Sequence, residues 1–198
     1  MKNFIFASLL LVLCSFKSDK GCLKADIILL ADVSQSISGH EKYVYNALLA
    51  FIERFELSEE GIRMSLITFN GSEEVLYHLG SNKYQLLDSL DIIISKPAEG
   101  GTYMFGALRA SMNEFRKRGI HYRRIIILVS DGSPSYAVET LLLADDLKNV
   151  YNSIIFGILV NSYDRNDNFM EQISSPNCYI KTEFETLVKE LENLDICI

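Results

Sequence analysis

Beyond Leu13, no stretch of this 198-residue chain is apolar for long enough to cross a bilayer as a helix. Positive charge is scarce as well. The chain has 19 Lys and Arg against 26 Asp and Glu, a formal net charge of −7, which argues against nucleic acid and anionic membrane surfaces as partners. Its three histidines, His40, His78 and His121, are scattered without metal-ligand spacing. Neither a G-x-x-x-x-G-K-S/T loop nor a G-x-G-x-x-G turn occurs, and there is no G-x-S-x-G elbow for a serine hydrolase. Repeats, low-complexity tracts and internal linkers are missing too, and the length suits one domain with a full core.

At the N-terminus, Met1-Lys2-Asn3 runs into an apolar stretch from Phe4 to Leu13, the length of an export-signal core. The expected organisation is a signal peptide with a short N-terminal segment over residues 1–21 and one domain over 22–198. A cut near Cys14 or Ser15 gives a secreted, extracellular product with no transmembrane segment. Leu11-Val12-Leu13-Cys14 leaves open an alternative, lipid anchoring at Cys14. Cys22 precedes the first expected strand and Cys197 follows the last expected helix, positions from which a disulfide would tie the termini together in an oxidising compartment. Cys178 is then left over, read as a small buried residue on a strand, with an intermolecular thiol as the alternative.

Strand and helix patterns alternate after the signal. Asp26 to Ala31, Ile62 to Phe69, Arg124 to Ser130 and Ser153 to Val160 are apolar runs expected as strands, buried on both faces where polar alternation is missing. Asn70-Gly71-Ser72 predicts a hairpin into an antiparallel edge strand over Glu74 to Leu79. Tyr179 to Ile180 is a last short strand. Helices are expected over Glu41 to Phe55 with Ser38 as N-cap, Tyr84 to Ile94, Tyr103 to Lys117, Val138 to Asn149, Asn168 to Ile173 and Glu183 to Leu194. The basic cluster Arg116-Lys117-Arg118, with Arg123-Arg124, is read as capping a helix C-terminus and the loop after it. The implied fold is α/β: a doubly wound, mainly parallel six-stranded sheet with one antiparallel edge and helices on both faces.

In such a sheet, ligands bind outside the carboxyl ends of the strands at the switch point. Three loops point there. Asp32, Ser34 and Ser36 follow the first strand, Thr102 follows Gly100-Gly101, and Asp131 ends the strand Arg124 to Ser130. Carboxylates and hydroxyls are the hard oxygen donors that Mg²⁺ takes, with positions left open for water or ligand. The ordered set D-x-S-x-S, Thr, Asp resembles the metal-ion-dependent adhesion site of the von Willebrand factor type A domain, from about Ala25 to Cys197. What the resemblance implies is direct metal binding by Ser34 and Ser36, support from Asp32 and Asp131 through water, and Thr102 joining when ligand is bound. It implies Mg²⁺, with Mn²⁺ as a substitute, capturing a Glu or Asp carboxylate of a protein partner in the extracellular matrix or on a cell surface.

Ligand-contact candidates around that face are Gln35, Tyr103, Ser133, Tyr136 and Tyr163, with His40, Met104, Asn161 and Arg165 nearby. The short segment from Val160 to Asn168, with the flanking cysteines, brings the chain closer to the matrix-type domains of matrilins and collagen type VI than to collagen-binding integrin domains. A Cys22 to Cys197 bridge would damp the affinity switch that family members make by sliding the last helix. Asn70-Gly71-Ser72 is a glycan acceptor sequence if the source is eukaryotic. Catalysis is not expected. Phosphoryl-transfer folds also use strand-end aspartates with Mg²⁺, but no basic residue for phosphate lies in the three loops. A structural or assembly domain whose metal is not used for recognition is the other reading; a Mg²⁺-dependent hydrolase is a third.

Overall fold

The computed structural model describes residues 24–117, 122–132, 134–160 and 167–196. The expected signal segment, Cys14, Cys22, Cys197, His121, Ser133, Asn161, Tyr163 and Arg165 lie outside the described residues, and so does the expected bridge between the terminal cysteines.

Six strands form one sheet in the order β3-β2-β1-β4-β5-β6. They are β1 (Ala25–Asp32), β2 (Ile62–Phe69), β3 (Glu73–Gly80), β4 (Arg123–Ser130), β5 (Ser153–Val160) and β6 (Tyr179–Thr182). All neighbours pair in parallel except β3, which returns antiparallel from β2 through the Asn70-Gly71-Ser72 turn. β1 therefore lies between β2 and β4, where the winding changes direction, and the carboxyl ends of β1 and β4 lie side by side, where ligands bind in sheets of this kind.

Side chains alternate between two cores because successive strand residues face opposite ways. Ile27 and Leu29 of β1 join Ile125, Ile127 and Val129 of β4 beneath α1 (Glu41–Glu53), α2 (Lys83–Leu90), α3 (Ile92–Ser95) and α7 (Leu187–Asn193). Ile28 and Leu30 join Ile126 and Leu128 on the other face, beneath α4 (Met104–Arg116), α5 (Ala137–Asn149) and α6 (Asp167–Ile173). Among the described residues no helix is long and apolar enough to cross a membrane.

Several local expectations need correction. The helix expected over Tyr84 to Ile94 is two, meeting at Asp91. Three consecutive β-branched isoleucines, Ile92-Ile93-Ile94, weaken helix propensity at that point. Ser38 is not the N-cap of α1, because a short 3-10 turn over Gln35–Ile37 intervenes and His40 takes that position without a side-chain cap. Arg123 opens β4 one residue ahead of the expected start at Arg124, rather than lying in the loop. Arg124 is buried, donates to the Tyr151 carbonyl at 3.0 Å and lies over the rings of Phe115 and Tyr151. Met104 is fully buried in the core beneath α4 and cannot meet a ligand. Cys178 is buried as expected, just ahead of β6 rather than on it, and forms no disulfide among the described residues.

Candidate metal centre

The carboxyl end of β1 builds the first half of the site. Asp32 still pairs with Phe69 of β2, and Val33 donates its N–H to the Phe69 carbonyl at 2.9 Å. The chain then turns. Ser34 donates its N–H to Asp32 Oδ1 at 2.9 Å, an Asx turn that swings the next residues over the end of the sheet.

Ser36 Oγ donates to Asp131 Oδ1 at 2.7 Å and lies 3.1 Å from Ser34 Oγ. A hydroxyl has one proton, so Ser34 is the donor to Ser36. A chain of oxygens thus crosses from the β1 loop to the end of β4. Its return path is Ser130, whose hydroxyl donates to Asp32 Oδ2 at 2.5 Å. Ser130 was not among the residues picked out from the sequence for a role. Its signal was present all the same: one hydroxyl closing the apolar run from Ile125 to Val129, buried and therefore in need of an acceptor.

Asp32 and Ser34 are each 1% exposed, whereas Ser36 is exposed, so the cluster opens to solvent on one side. Burial pushes the Asp32 carboxyl up from 3.8 to about 6, against the lowering effect of its hydrogen bonds to Ser130 and Ser34; the nearby Asp131 carboxylate adds to the rise. Burial raises Asp131 too, with the Ser36 hydroxyl opposing. Neither carboxylate has a Lys or Arg partner among the described residues. Two desolvated carboxylates beside three hydroxyls, with no Lys or Arg partner among the described residues, form a donor set that fits a hard divalent ion. No cluster of three or more His, Cys, Asp or Glu suited to a metal exists among the described residues, so hydroxyls would have to complete the coordination.

The double-glycine loop packs against the same turn through its backbone. Glu99 donates its N–H to the Val33 carbonyl and Gln35 to the Gly100 carbonyl, both at 3.2 Å, while Tyr103 donates to the Asn70 carbonyl at 2.6 Å. Gly100 alone of the pair has a left-handed backbone, φ 75°, and a Cβ there would stand 3.1 Å from the Gly71 nitrogen. Thr102 is half-buried in this loop and accepts the Ser135 N–H on its carbonyl at 2.9 Å. Its hydroxyl bonds none of the other four residues, so four of the five expected positions form one hydrogen-bonded cluster and Thr102 stands in the adjoining loop.

The profile of the von Willebrand factor type A domain matches residues 26–194. This chain belongs to that family. Solved structures share the fold. The von Willebrand factor domain of a type V pilus tip protein from Porphyromonas gingivalis aligns at 12% identity over 87% of this chain and 94% of that one, TM-score 0.75. The manganese-loaded TRAP protein of Plasmodium vivax aligns at 24% identity over 84% and 71%, TM-score 0.66. Proximal thread matrix protein 1 of the mussel byssus, in a structure with a zinc-occupied metal-ion-dependent adhesion site, aligns at 18% over 86% and 46%, TM-score 0.75.

Around the candidate site of this type A domain, Gln35 is exposed on the short 3-10 turn. Tyr136 is 62% exposed, and its ring stands edge-on to that of Tyr103 with centroids 5.7 Å apart. Tyr103 lies against Gly106 of α4, where a Cβ would collide with the Tyr103 ring. His40, whose ring stacks on Phe184 at 4.2 Å, lies near enough to Asp131 to oppose the rise in its pKa.

Proposed function

We propose that this is an exported adhesion or protein-interaction module, in which Asp32, Ser34, Ser36, Thr102 and Asp131 hold a Mg²⁺ ion, replaceable by Mn²⁺, for a partner's Glu or Asp carboxylate. The observation that carries the reading is the joined cluster of Asp32, Ser34, Ser36, Ser130 and Asp131, buried at one end, open at the other and with no Lys or Arg partner among the described residues.

Ser34 and Ser36 are the direct donors, and their neutrality leaves the bound cation electrophilic toward an incoming carboxylate. Asp32 and Asp131 orient the hydroxyls and balance charge; Ser130 fixes Asp32 from behind. Thr102, whose hydroxyl bonds none of the other described site residues, joins the set when a partner binds. The export signal over residues 1–21, the extracellular setting and the Cys22 to Cys197 bridge belong to this proposal, and a catalytic role does not. The partner is a protein of the matrix or of a cell surface.

Calorimetry with Mg²⁺ on the wild type and on Asp131→Ala tests the site. The wild type should bind one ion, and Asp131→Ala should lose at least tenfold in affinity, on the order of 1.4 kcal/mol. Equal heats in the two proteins would contradict the assignment. Capture of a partner that persists in chelator would point instead to an assembly domain whose metal is not used for recognition.

A further inference from the structure

Helix α5 carries apolar side chains where solvent, not core, faces them. Tyr136 at its N-cap is 62% exposed, Val138 68% and Leu142 64%. Val138 and Leu142 are four residues apart and share one helix face. Other α5 residues, Leu143, Ala144 and Leu147, already pack against the sheet, so burying the helix does not account for the exposed set. A contiguous exposed apolar strip beside a ligand site marks an interaction surface.

The strip is continuous with the metal loops. Ser135 donates its N–H to the Thr102 carbonyl, and Tyr136 meets Tyr103 ring to ring. Tyr136 is also held in place: its backbone is left-handed, φ 61° and ψ 53°, uncommon for a bulky residue, and its carbonyl accepts both the N–H and the hydroxyl of buried Thr140, at 2.9 and 2.7 Å. Acidic side chains follow. Glu139, Asp145 and Asp146 are exposed on α5, and among the described residues only Asp145 has a cation, Lys148 at 3.1 Å.

Building on the metal-mediated function above, we propose that the solvent face of α5 is the second half of the partner-binding surface. Its occupant is the stretch of the partner protein that flanks the metal-bound carboxylate: apolar or aromatic residues on Tyr136, Val138 and Leu142, then a basic residue against Glu139 and Asp146. Charge selects this occupant over a second copy of the chain. Two α5 faces brought together would oppose like charges at Glu139 and Asp146, and each chain carries −7.

The test uses synthetic peptides with a fixed central Glu, flanked on either side by Leu or Phe and then Lys, with Gly/Ser-flanked and Gln-centred controls. Binding is read by fluorescence anisotropy in Mg²⁺ and in chelator. Apolar-flanked Glu peptides should bind at least about tenfold more tightly than Gly/Ser-flanked ones. The double variant Val138→Ser/Leu142→Ser, and separately Tyr136→Gly, which keeps the left-handed backbone available, should erase that preference while the calorimetric Mg²⁺ affinity stays unchanged. Equal binding of the two peptide classes, with Mg²⁺-dependent capture of Glu over Gln intact, would overturn the α5 surface and leave the metal site standing. A flank preference that ignores both chelator and the Glu-to-Gln change would instead remove the metal from partner binding and, with it, the shared surface proposed here. Sedimentation that shows a dimer abolished by Val138→Ser/Leu142→Ser would assign the strip to a second copy and overturn the proposal.

Discussion

Strand β1 buries two aspartates, one near each end, and they are treated in opposite ways. Asp26, near the amino end, is fully buried and receives both arms of Arg63, Nε at 2.7 Å and Nη2 at 2.9 Å. The Tyr122 ring lies over that guanidinium at 4.0 Å. Asp32, at the carboxyl end, is 1% exposed and among the described residues accepts only neutral donors, the Ser34 N–H and the Ser130 hydroxyl. Burying a carboxylate costs several kcal/mol unless a cation compensates. Among the described residues the fold supplies that cation at Asp26 and not at Asp32, which under the proposed function leaves the carboxyl end for an ion from outside.

The largest expected effect breaks the structural end. Arg63→Ala leaves Asp26 buried without its partner and should cost about 3–5 kcal/mol in urea unfolding, whereas Asp26→Leu with Arg63→Met should recover most of it. A single variant costing under about 1 kcal/mol would show that the two ends do not differ as described.

Next comes the pH response of the other end. The folded chain holds the Asp32 proton up to about 6, above the ordinary 3.8, so between pH 4 and 6 it binds a proton that the unfolded chain has released. Metal-free stability is therefore lost as pH rises through that window, by about 3 kcal/mol from this group, and levels off above it. Asp32→Asn should lack that loss. Urea midpoints of the two proteins at pH 4 and pH 7 make the comparison, and parallel changes would refute it.

Smaller effects sharpen the boundary between fold and site. Arg54 donates to the carbonyls of Leu191 and Leu194 at 2.7 and 2.9 Å, fastening the end of α7 to α1. Arg54→Ala should cost about 2 kcal/mol and speed amide exchange over residues 187–194, with Mg²⁺ affinity unchanged. Ser130→Ala, which removes one of the two donors to Asp32, should cost about 1 kcal/mol above pH 6 in the absence of metal and less when metal is present.

The fold was legible because continuous apolar runs from Ile27 to Leu30 and Ile125 to Val129 have no other place than a doubly covered sheet, and Asn70-Gly71-Ser72 allowed only a tight return. Asp32, Ser34, Ser36 and Asp131 were legible because polar oxygens at the ends of such strands face a crevice. Thr102 could be placed in a loop but not in contact, since the backbone bonds of Glu99, Gly100 and Tyr103 that seat the loop leave no trace in side-chain pattern. Ser130 escaped notice because strand alternation describes faces, not the strand end where its hydroxyl meets Asp32. Met104 was misplaced because it is the first residue of α4 and its side chain turns into the core.

The contrast between Asp26 and Asp32 is tested most directly by thermal unfolding with and without Mg²⁺ between pH 5 and 8, in the wild type and in Asp32→Asn. Mg²⁺ should raise the wild-type Tm at pH 7.5, the rise should shrink below about pH 6 as Asp32 takes up its proton, and Asp32→Asn should not respond. A wild-type Tm unmoved by Mg²⁺, or an equal rise in Asp32→Asn, would contradict the claim that the uncompensated carboxylate at the end of β1 is there for a metal.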